Sequence, residues 1–281
     1  VKILPFQIPK PKNDALVFQE NIEFAFYNKL HQHKEIQISL IVKGEGTLIV
    51  GDTINNYKAG NIIILGSNLP HVFESLENFA EKSHMITLFF TEDSFGEHFF
   101  ELQELNEINL FFKQAKHGFK IVSDESIAKL FLKLKTATKL ERFISLLQIL
   151  KKTASSNYES LSSFIYEKKY TKNEGNRMRN VFEFTMNNFS HEITLDEVSR
   201  IANMTKNAFC KYFKKRTNKS YFRFLNELRV ENASKLMISN TDLTLAEIAY
   251  KSGFNNISNF NRQFKNIKKM NPSSFKKNKN S

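Results

Sequence analysis

The sequence contains a single cysteine, Cys210, among its 281 residues. No internal disulfide can form from it, which fits a reducing, cytoplasmic setting. Long apolar runs are missing too. The longest, "NIIILG" and "ITLFF", are strand-length and fall well short of the roughly 20 residues that a membrane helix needs. The N-terminus shows no basic stretch followed by an apolar core and a small-residue cleavage site, so neither a secretion signal nor a membrane partner is expected. With 41% hydrophobic and 25% charged residues, global disorder is also excluded. The length suffices for two domains, each with its own core.

What is present is unevenly placed. Residues 171–281 carry 21 lysines and arginines against 9 acids, while residues 1–170 balance at 20 and 20. The whole net charge of +12 therefore lies in the last 111 residues. A neutral half joined to a basic half points to two jobs, the second directed at a polyanion.

The organisation follows the same division. "QISLIVKGEGTLIVGDTINNYKAGNIIIL" has apolar runs broken by Gly44, Gly46, Gly51 and Gly60, the pattern of successive hairpins in a β-barrel or sandwich. From about Thr91 the spacing becomes helical, with Ser123 or Asp124 placed to cap a start. Leu140, Phe143, Ile144, Leu147 and Leu150 share one stripe, which either packs on its own barrel or forms a dimer seam. The polar segments "ASSNYESLSS" and "KKYTKNEGN" read as a linker over 155–175. The expected domains are 1–154 and 176–281, the first a barrel followed by helices and the second all-α.

The basic half contains the same unit twice. "LDEVSRIANMTKNAFCKYFKK" aligns with "LAEIAYKSGFNNISNFNRQFKN": Leu195, Glu197 and Val198 match Leu245, Glu247 and Ile248 at an offset of 50, and Phe209, Phe213 and Lys214 match Phe260, Phe264 and Lys265 at 51. Each unit reads as helix, tight turn, helix. Thr194 and Thr244 can cap the first helices, and Thr205 and Asn256 the second. Asn203 and Gly253 suit a left-handed turn position. This is the helix-turn-helix pattern, whose second helix enters a major groove. Between the units, "SYFRFLNELRVENASKLM" has the apolar spacing of one continuous helix, a strut able to hold two reading helices in successive grooves about 34 Å apart.

These residues, with the "EIAYKSGF" and "FNRQFK" cores and the terminal "NPSSF", resemble the DNA-binding domain of AraC/XylS-type transcription regulators over about the last hundred residues. The resemblance implies two tandem helix-turn-helix units bridged by a long helix. It places base-facing positions on Asn207, Cys210 and Lys211, with Lys206 nearby, and on Ile257, Ser258, Asn259, Asn261 and Arg262. Asn207 can pair with adenine, while Lys211 and Arg262 can donate to guanine or phosphate. Lys214, Lys215, Arg216, Lys265 and Lys268 are expected to serve phosphate contacts or solubility. Two family glycines are replaced, by Asn218, which tolerates a left-handed turn, and by Lys269, where strain or fraying of the last turn is expected.

In the first half, "HQHKEIQ" alternates His31, His33, Glu35 and Gln37 on one strand face, and His71 follows in "GSNLPHVF" after Gly60 and Pro70. Residues 20–90 resemble a cupin barrel (a double-stranded β-helix), which in AraC-type regulators usually precedes the DNA-binding half. Metal-binding cupins hold their ion with two histidines, a glutamate and a later histidine. Here the glutamate position falls on Gln37, a poorer, uncharged ligand, and Glu35 stands two residues early. His31, His33, Glu35, Gln37 and His71 are therefore read as an effector-pocket lining with no metal or cofactor. His31, His33 and His71 remain the residues that would hold Zn, Ni or Fe.

Together the residues and resemblances lead to the expectation of a sequence-specific DNA-binding transcription regulator that is not an enzyme. It would be a homodimer acting on double-stranded DNA, with RNA polymerase as a further partner, and would answer to a small-molecule effector such as a carbohydrate. The competing reading is a metal-dependent cupin enzyme with a basic nucleic-acid-binding tail. It is disfavoured by Gln37 and by two DNA-reading units that an enzyme would not need. The two second helices share anchors and differ outwardly, so each is expected to read a different half of one asymmetric site.

Overall fold

Strand β2 (Ile36–Lys43) shows why the first half folds as it does. Its residues alternate by the two-residue period of a strand: Ile36, Ile38 and Leu40 join one core, and Gln37, Ser39 and Ile41 face the other way. β5 (Ile62–Leu65) and β7 (Ser83–Phe90) repeat this, with Ile62, Ile64, Ile86, Leu88 and Phe90 on the first side. The computed structural model describes residues 14–75, 81–165, 172–239 and 242–279, the side chains of 172–175 and 279 excepted. The chain divides into two compact units, 1–175 and 176–281.

In the first unit β1 (Val17–Glu23), β7, β2, β5, β8 (Phe119–Ile121) and β9 (Glu159–Ser160) pair in that order to form one sheet. β4 (Thr53–Tyr57), β3 (Gly46–Val50) and β6 (His71–Ser75) form another. Among the described residues all these ladders are antiparallel. Leu48, Val50, Tyr57 and Phe73 of the small sheet meet Ile41, Ile63, Leu65 and Met85 of the large one in a shared core. The result is a two-sheet sandwich. Among the described residues no strand ladder closes it into a barrel, and His31 and His71 make only an isolated bridge. The outer face of the large sheet is covered by α1 (Asn109–Ala115), α2 (Glu125–Lys133) and α3 (Lys139–Ser155), which contribute Phe111, Phe131, Leu146 and Leu150 to its core. Asp124 caps α2, and Thr138 and Glu141 form a capping box on α3.

Two sequence expectations are revised here. The linker is narrower than 155–175, because β9 pairs with β8, Leu161 is buried between the sheets and Asp52 accepts from Ser162 and Ser163. Residues 166–171 of the expected linker lie outside the described residues. The α3 stripe also splits: Leu150 is in the core, Leu147 packs against it, and Phe143 meets Phe95 and Phe99, which leaves only Leu140 and Ile144 exposed.

The second unit is all-helical: α4 (Lys172–Asn188), α5 (Leu195–Ile201), α6 (Lys206–Thr217), α7 (Tyr221–Ser239), α8 (Leu245–Lys251), α9 (Ile257–Lys268) and α10 (Pro272–Lys279). α5 and α8 have seven residues each and α6 and α9 twelve each, so the repeat is a structural one. The extra residue falls in the turn, 252–256 against 202–205. Both turns close alike, with Met204 N–H donating to Ser199 O and Phe254 N–H to Ala249 O. Thr194 with Glu197, and Thr244 with Glu247, form complete capping boxes.

α7 serves both repeats. Tyr221 and Phe224 pack on Phe209, Phe213 and Phe182, whereas Val230, Ala233 and Met237 share a core with Ile248, Phe260 and Phe264. At 19 residues it is roughly 28 Å long.

Lys269 ends α9 in the left-handed region at φ 60, with its N–H donating to Lys265 O. The last turn is therefore strained but does not fray. Lys269→Gly removes a left-handed penalty of about 1–2 kcal/mol, part of which the freer unfolded chain returns, so urea unfolding should show a net gain of up to about 1 kcal/mol. Gly253→Ala should act oppositely. At φ +87 its new Cβ would stand 2.3 Å from Phe189 O, and the loss should exceed about 2 kcal/mol.

The capping carboxylates of Glu197 and Glu247 lie below the ordinary glutamate value of 4.5, held there first by the Thr194 and Thr244 backbone N–H groups and then by the hydroxyls. Their contribution is complete above that value and fades as pH falls through the depressed one. The double variant Glu197→Gln, Glu247→Gln should therefore show a shallower loss of stability between about pH 5 and 3, measured as the urea midpoint at each pH.

Candidate nucleic-acid interface and effector pocket

A reading helix must be fixed on one side and bare on the other. In α6, Phe209 and Phe213 are fully buried, and Thr217 donates to Phe213 O, closing the anchored face. Lys206, Asn207, Cys210 and Lys211 are all exposed. Lys206 is partly engaged, pairing at 3.0 Å with Asp196 of α5, which also holds Arg200. Lys206 and then Arg200 keep the Asp196 carboxyl below its usual range. The sequence reading missed this tie. Its sequence signal is an acid in the first turn of the positioning helix, 10 residues before the lysine.

In α9, Phe260 and Phe264 are buried, and Asn256 accepts from the N–H groups of Ser258 and Asn259 to start the helix. Ile257, Ser258, Asn261 and Arg262 are exposed and Asn259 is half-buried. Arg262 Nη2 donates to Asn259 Oδ1 at 3.0 Å, one turn earlier on the same face. A guanidinium held in this way keeps donors for a base edge or phosphate while its direction is restricted. Lys214, Lys215 and Lys265 are exposed beside these faces. Lys268 is different from its expected role: its ammonium donates to Glu231 of α7 at 2.6 Å, which makes it an internal tie rather than a free phosphate ligand. Arg216 lies over the Tyr212 ring and is half-buried.

The candidate pocket residues of the first unit come together differently from the expected alternation. β2 begins only at Ile36, so His31, His33 and Glu35 precede the strand, and only Gln37 lies in it. Even so, His31, His33 and His71 converge, with ring centroids 4.2–5.8 Å apart and all three buried. Each Nδ1 faces a backbone carbonyl: Lys29 O at 2.7 Å, Glu35 O at 2.8 Å and Leu69 O at 2.8 Å. Glu35 stays on the Nδ1 side of His33, 4.0 Å away, and does not join the cluster. Gln37 continues it instead, with Oε1 at 3.2 Å from His33 Nε2, Nε2 donating to Ser39, and Ser39 bonded to Thr87. Ser39 and Thr87 were missed, although the signal was present in polar residues alternating with isoleucines. Burial lowers His33, and burial followed by the neighbouring His31 and His33 puts His71 well below the ordinary histidine range, so both are neutral at neutral pH.

Residues 198–278 match the family model of a helix-turn-helix domain, HTH_18. The chain is 24% identical over 266 residues to YdeC of Bacillus subtilis, described as an uncharacterised HTH-type transcriptional regulator, covering 89% of this chain and 87% of that one. It is 30% identical over 100 residues to a regulator of the same description from the cgkA 5′ region of Pseudoalteromonas carrageenovora, covering 36% of this chain and 58% of the relative. Among solved structures it is similar to the apo form of a single-residue variant of ToxT from Vibrio cholerae, with 17% identity, 95% and 98% coverage and a TM-score of 0.39. The first two relatives are regulators by name, not enzymes. No helix among the described residues is long and apolar enough to cross a membrane. The duplicated, capped and strut-joined units fall in the span that this family model matches, and residues 198–278 are a helix-turn-helix domain.

Proposed function

We propose that the chain is a sequence-specific transcription regulator whose two reading helices occupy successive major grooves of one asymmetric operator. The observation that carries this reading is the pairing of identical anchors with unlike outer faces. Phe209/Phe213 and Phe260/Phe264 hold α6 and α9 in the same way, whereas Asn207, Cys210 and Lys211 on one side differ from Ser258, Asn261 and Arg262 on the other. A merely adhesive surface needs only lysines. Here side chains able to form directed hydrogen bonds occupy the outer positions.

The effector side of the proposal rests on the buried polar cluster of His31, His33, His71 and Gln37 inside the sandwich, which serves as the site for a small polar molecule such as a carbohydrate. Binding there shifts the balance between DNA-binding arrangements. The protein works in the cytoplasm as a homodimer, to which the exposed Leu140 and Ile144 of α3 contribute, and acts on RNA polymerase at the promoter.

The test is binding of the full-length protein to its promoter DNA, with every base pair of the site varied in turn. Arg262→Ala should cost about 1–3 kcal/mol at one base pair and relax discrimination there. Lys265→Ala should weaken all sequences alike and lower the salt slope by about one. An Arg262→Ala protein that loses affinity equally on every sequence would replace specific reading with architectural binding.

A further inference from the structure

We propose that residues 159–163 form a releasable strap, docked across one edge of the N-terminal sandwich, whose release lengthens the chain leading to the helix-turn-helix unit. This rests on the effector site and homodimer proposed above and names the element through which that site acts. The first observation is that the strap joins both sheets at a single residue. The Leu161 N–H donates to Gly118 O, next to β8 of the large sheet, at 2.9 Å. Its carbonyl accepts from Thr53 Oγ1 and, at 3.2 Å, from Asn55 Nδ2, both on β4 of the small sheet. Its side chain is buried in the core between the sheets. Lys120 adds a second tie, pairing with Glu159 at 2.9 Å while donating to Asn56 O of β4.

The second observation is how the strap ends. Asp52, in the two-residue turn between β3 and β4, accepts from Ser162 Oγ at 2.8 Å, from the Ser163 N–H at 3.0 Å and from Ser163 Oγ. One carboxylate thus holds the last docked residues, and β9 is only two residues long. With one apolar anchor, Leu161, and with Glu159, Ser160 and Ser163 exposed, the strap belongs to the low end of local stability.

The third observation is that loop 66–71 touches both the strap and the polar cluster. Toward the cluster, the Asn68 N–H donates to His33 O at 2.8 Å, and His71 exchanges backbone hydrogen bonds with His31. Toward the strap, Pro70 O accepts from the N–H of Gly51, the neighbour of Asp52, at 2.8 Å, and Leu69 shares a core with Leu161. The two leucines meet over Gly118, where an added Cβ would stand 2.8 Å from Leu69 and 3.5 Å from Leu161. The histidine rings already fill the space between them, with centroids 4.2–5.8 Å apart, so an occupant needs a wall to move. Ser67 is exposed and Asn68 is half-buried at a left-handed φ of 58, which makes this loop the wall nearest solvent. Lifting it takes Leu69 away from Leu161 and Pro70 away from Gly51.

The consequence is one of reach. With the strap docked, residues 164–171, eight in all, separate it from α4; released back to the end of α3, the sixteen residues 156–171 do. A chain spans at most about 3.5 Å per residue, so the upper limit rises from about 28 Å to about 56 Å. In a homodimer that limit governs how far apart two operator copies can be engaged together. The strap is then a two-state element that the effector site and DNA both bias.

The test is amide hydrogen exchange of the full-length protein, read by mass spectrometry, with wild type beside Asp52→Ala and Asn68→Pro. In wild type the Leu161 and Ser163 amides should exchange together and well before those of β2 and β7. Asp52→Ala should speed both by on the order of 10-fold or more. Asn68→Pro removes the N–H given to His33 and cannot adopt a positive φ, so it should do the same from the cluster side. Unchanged rates in β2 and β7 show that each variant is folded. Should Asn68→Pro lose protection throughout, the milder Asn68→Val, strained by the same φ, takes its place. A strap that opens only together with the sheets, or that stays protected when the loop is disturbed, overturns the proposal. Promoter binding on the same samples separates the two claims. With two operator copies moved apart by one helical turn, wild type should lose affinity by on the order of 10-fold and Asp52→Ala should keep it; equal losses overturn the role given to reach. Wild type that binds no promoter refutes the regulator reading, and the exchange rates then decide the strap alone.

Discussion

Arg229, near the middle of α7, is the contact on which the C-terminal unit depends. Its Nε donates to Phe189 O and its Nη2 to His191 O, both at 2.7 Å, while its guanidinium lies over the Phe254 ring. One planar group therefore joins the strut, the end of the chain leaving α4 and the turn of the second repeat. Gly253 makes the junction possible, because any side chain there would strike Phe189 O and Arg229 Nε. A rigid planar fork with several donors suits this task better than a flexible ammonium. The joint ties α7 to the segment after α4 and to the turn before α9.

Two acids one turn apart on α7 reinforce it. Glu227 binds Lys219, in the turn that follows α6, and Glu231 binds Lys268 at the end of α9, each at 2.6 Å. Lys219 and Glu231 are mostly buried, so these pairs do more for geometry than a surface pair, which contributes little. The basic charge of this unit is thus divided between lysines that brace the scaffold and others, such as Lys211 and Lys265, that remain at the surface. Net charge alone cannot tell the two apart.

In the N-terminal unit the corresponding constraint is a polar line through an apolar interior. Gln37, Ser39 and Thr87 satisfy one another in sequence, and the three histidines are each tied to a backbone carbonyl. A network bonded in this way fixes its side chains firmly.

Much of this was legible in the sequence wherever the signal was local. The repeat, the caps at Thr194, Thr205, Thr244 and Asn256, the left-handed turns at Asn203 and Gly253 and the phenylalanine anchors all depend on residues within a few positions of one another. Backbone sterics and helical periodicity alone therefore determined them. The exposed faces of α6 and α9 followed, since whatever opposes a buried Phe-x-x-x-Phe stripe must lie outside. Tertiary structure decided what depends on partners distant in sequence. It set the strands in two sheets, with no ladder closing them among the described residues, drew residues 159–163 onto the first unit and divided the α3 stripe between core and surface. It also turned Lys268 inward to Glu231, 37 residues away, and brought His71 of β6 against His31 and His33. Such pairings are fixed by which surfaces meet when the core closes, and the order of residues along the chain carries no local mark of them.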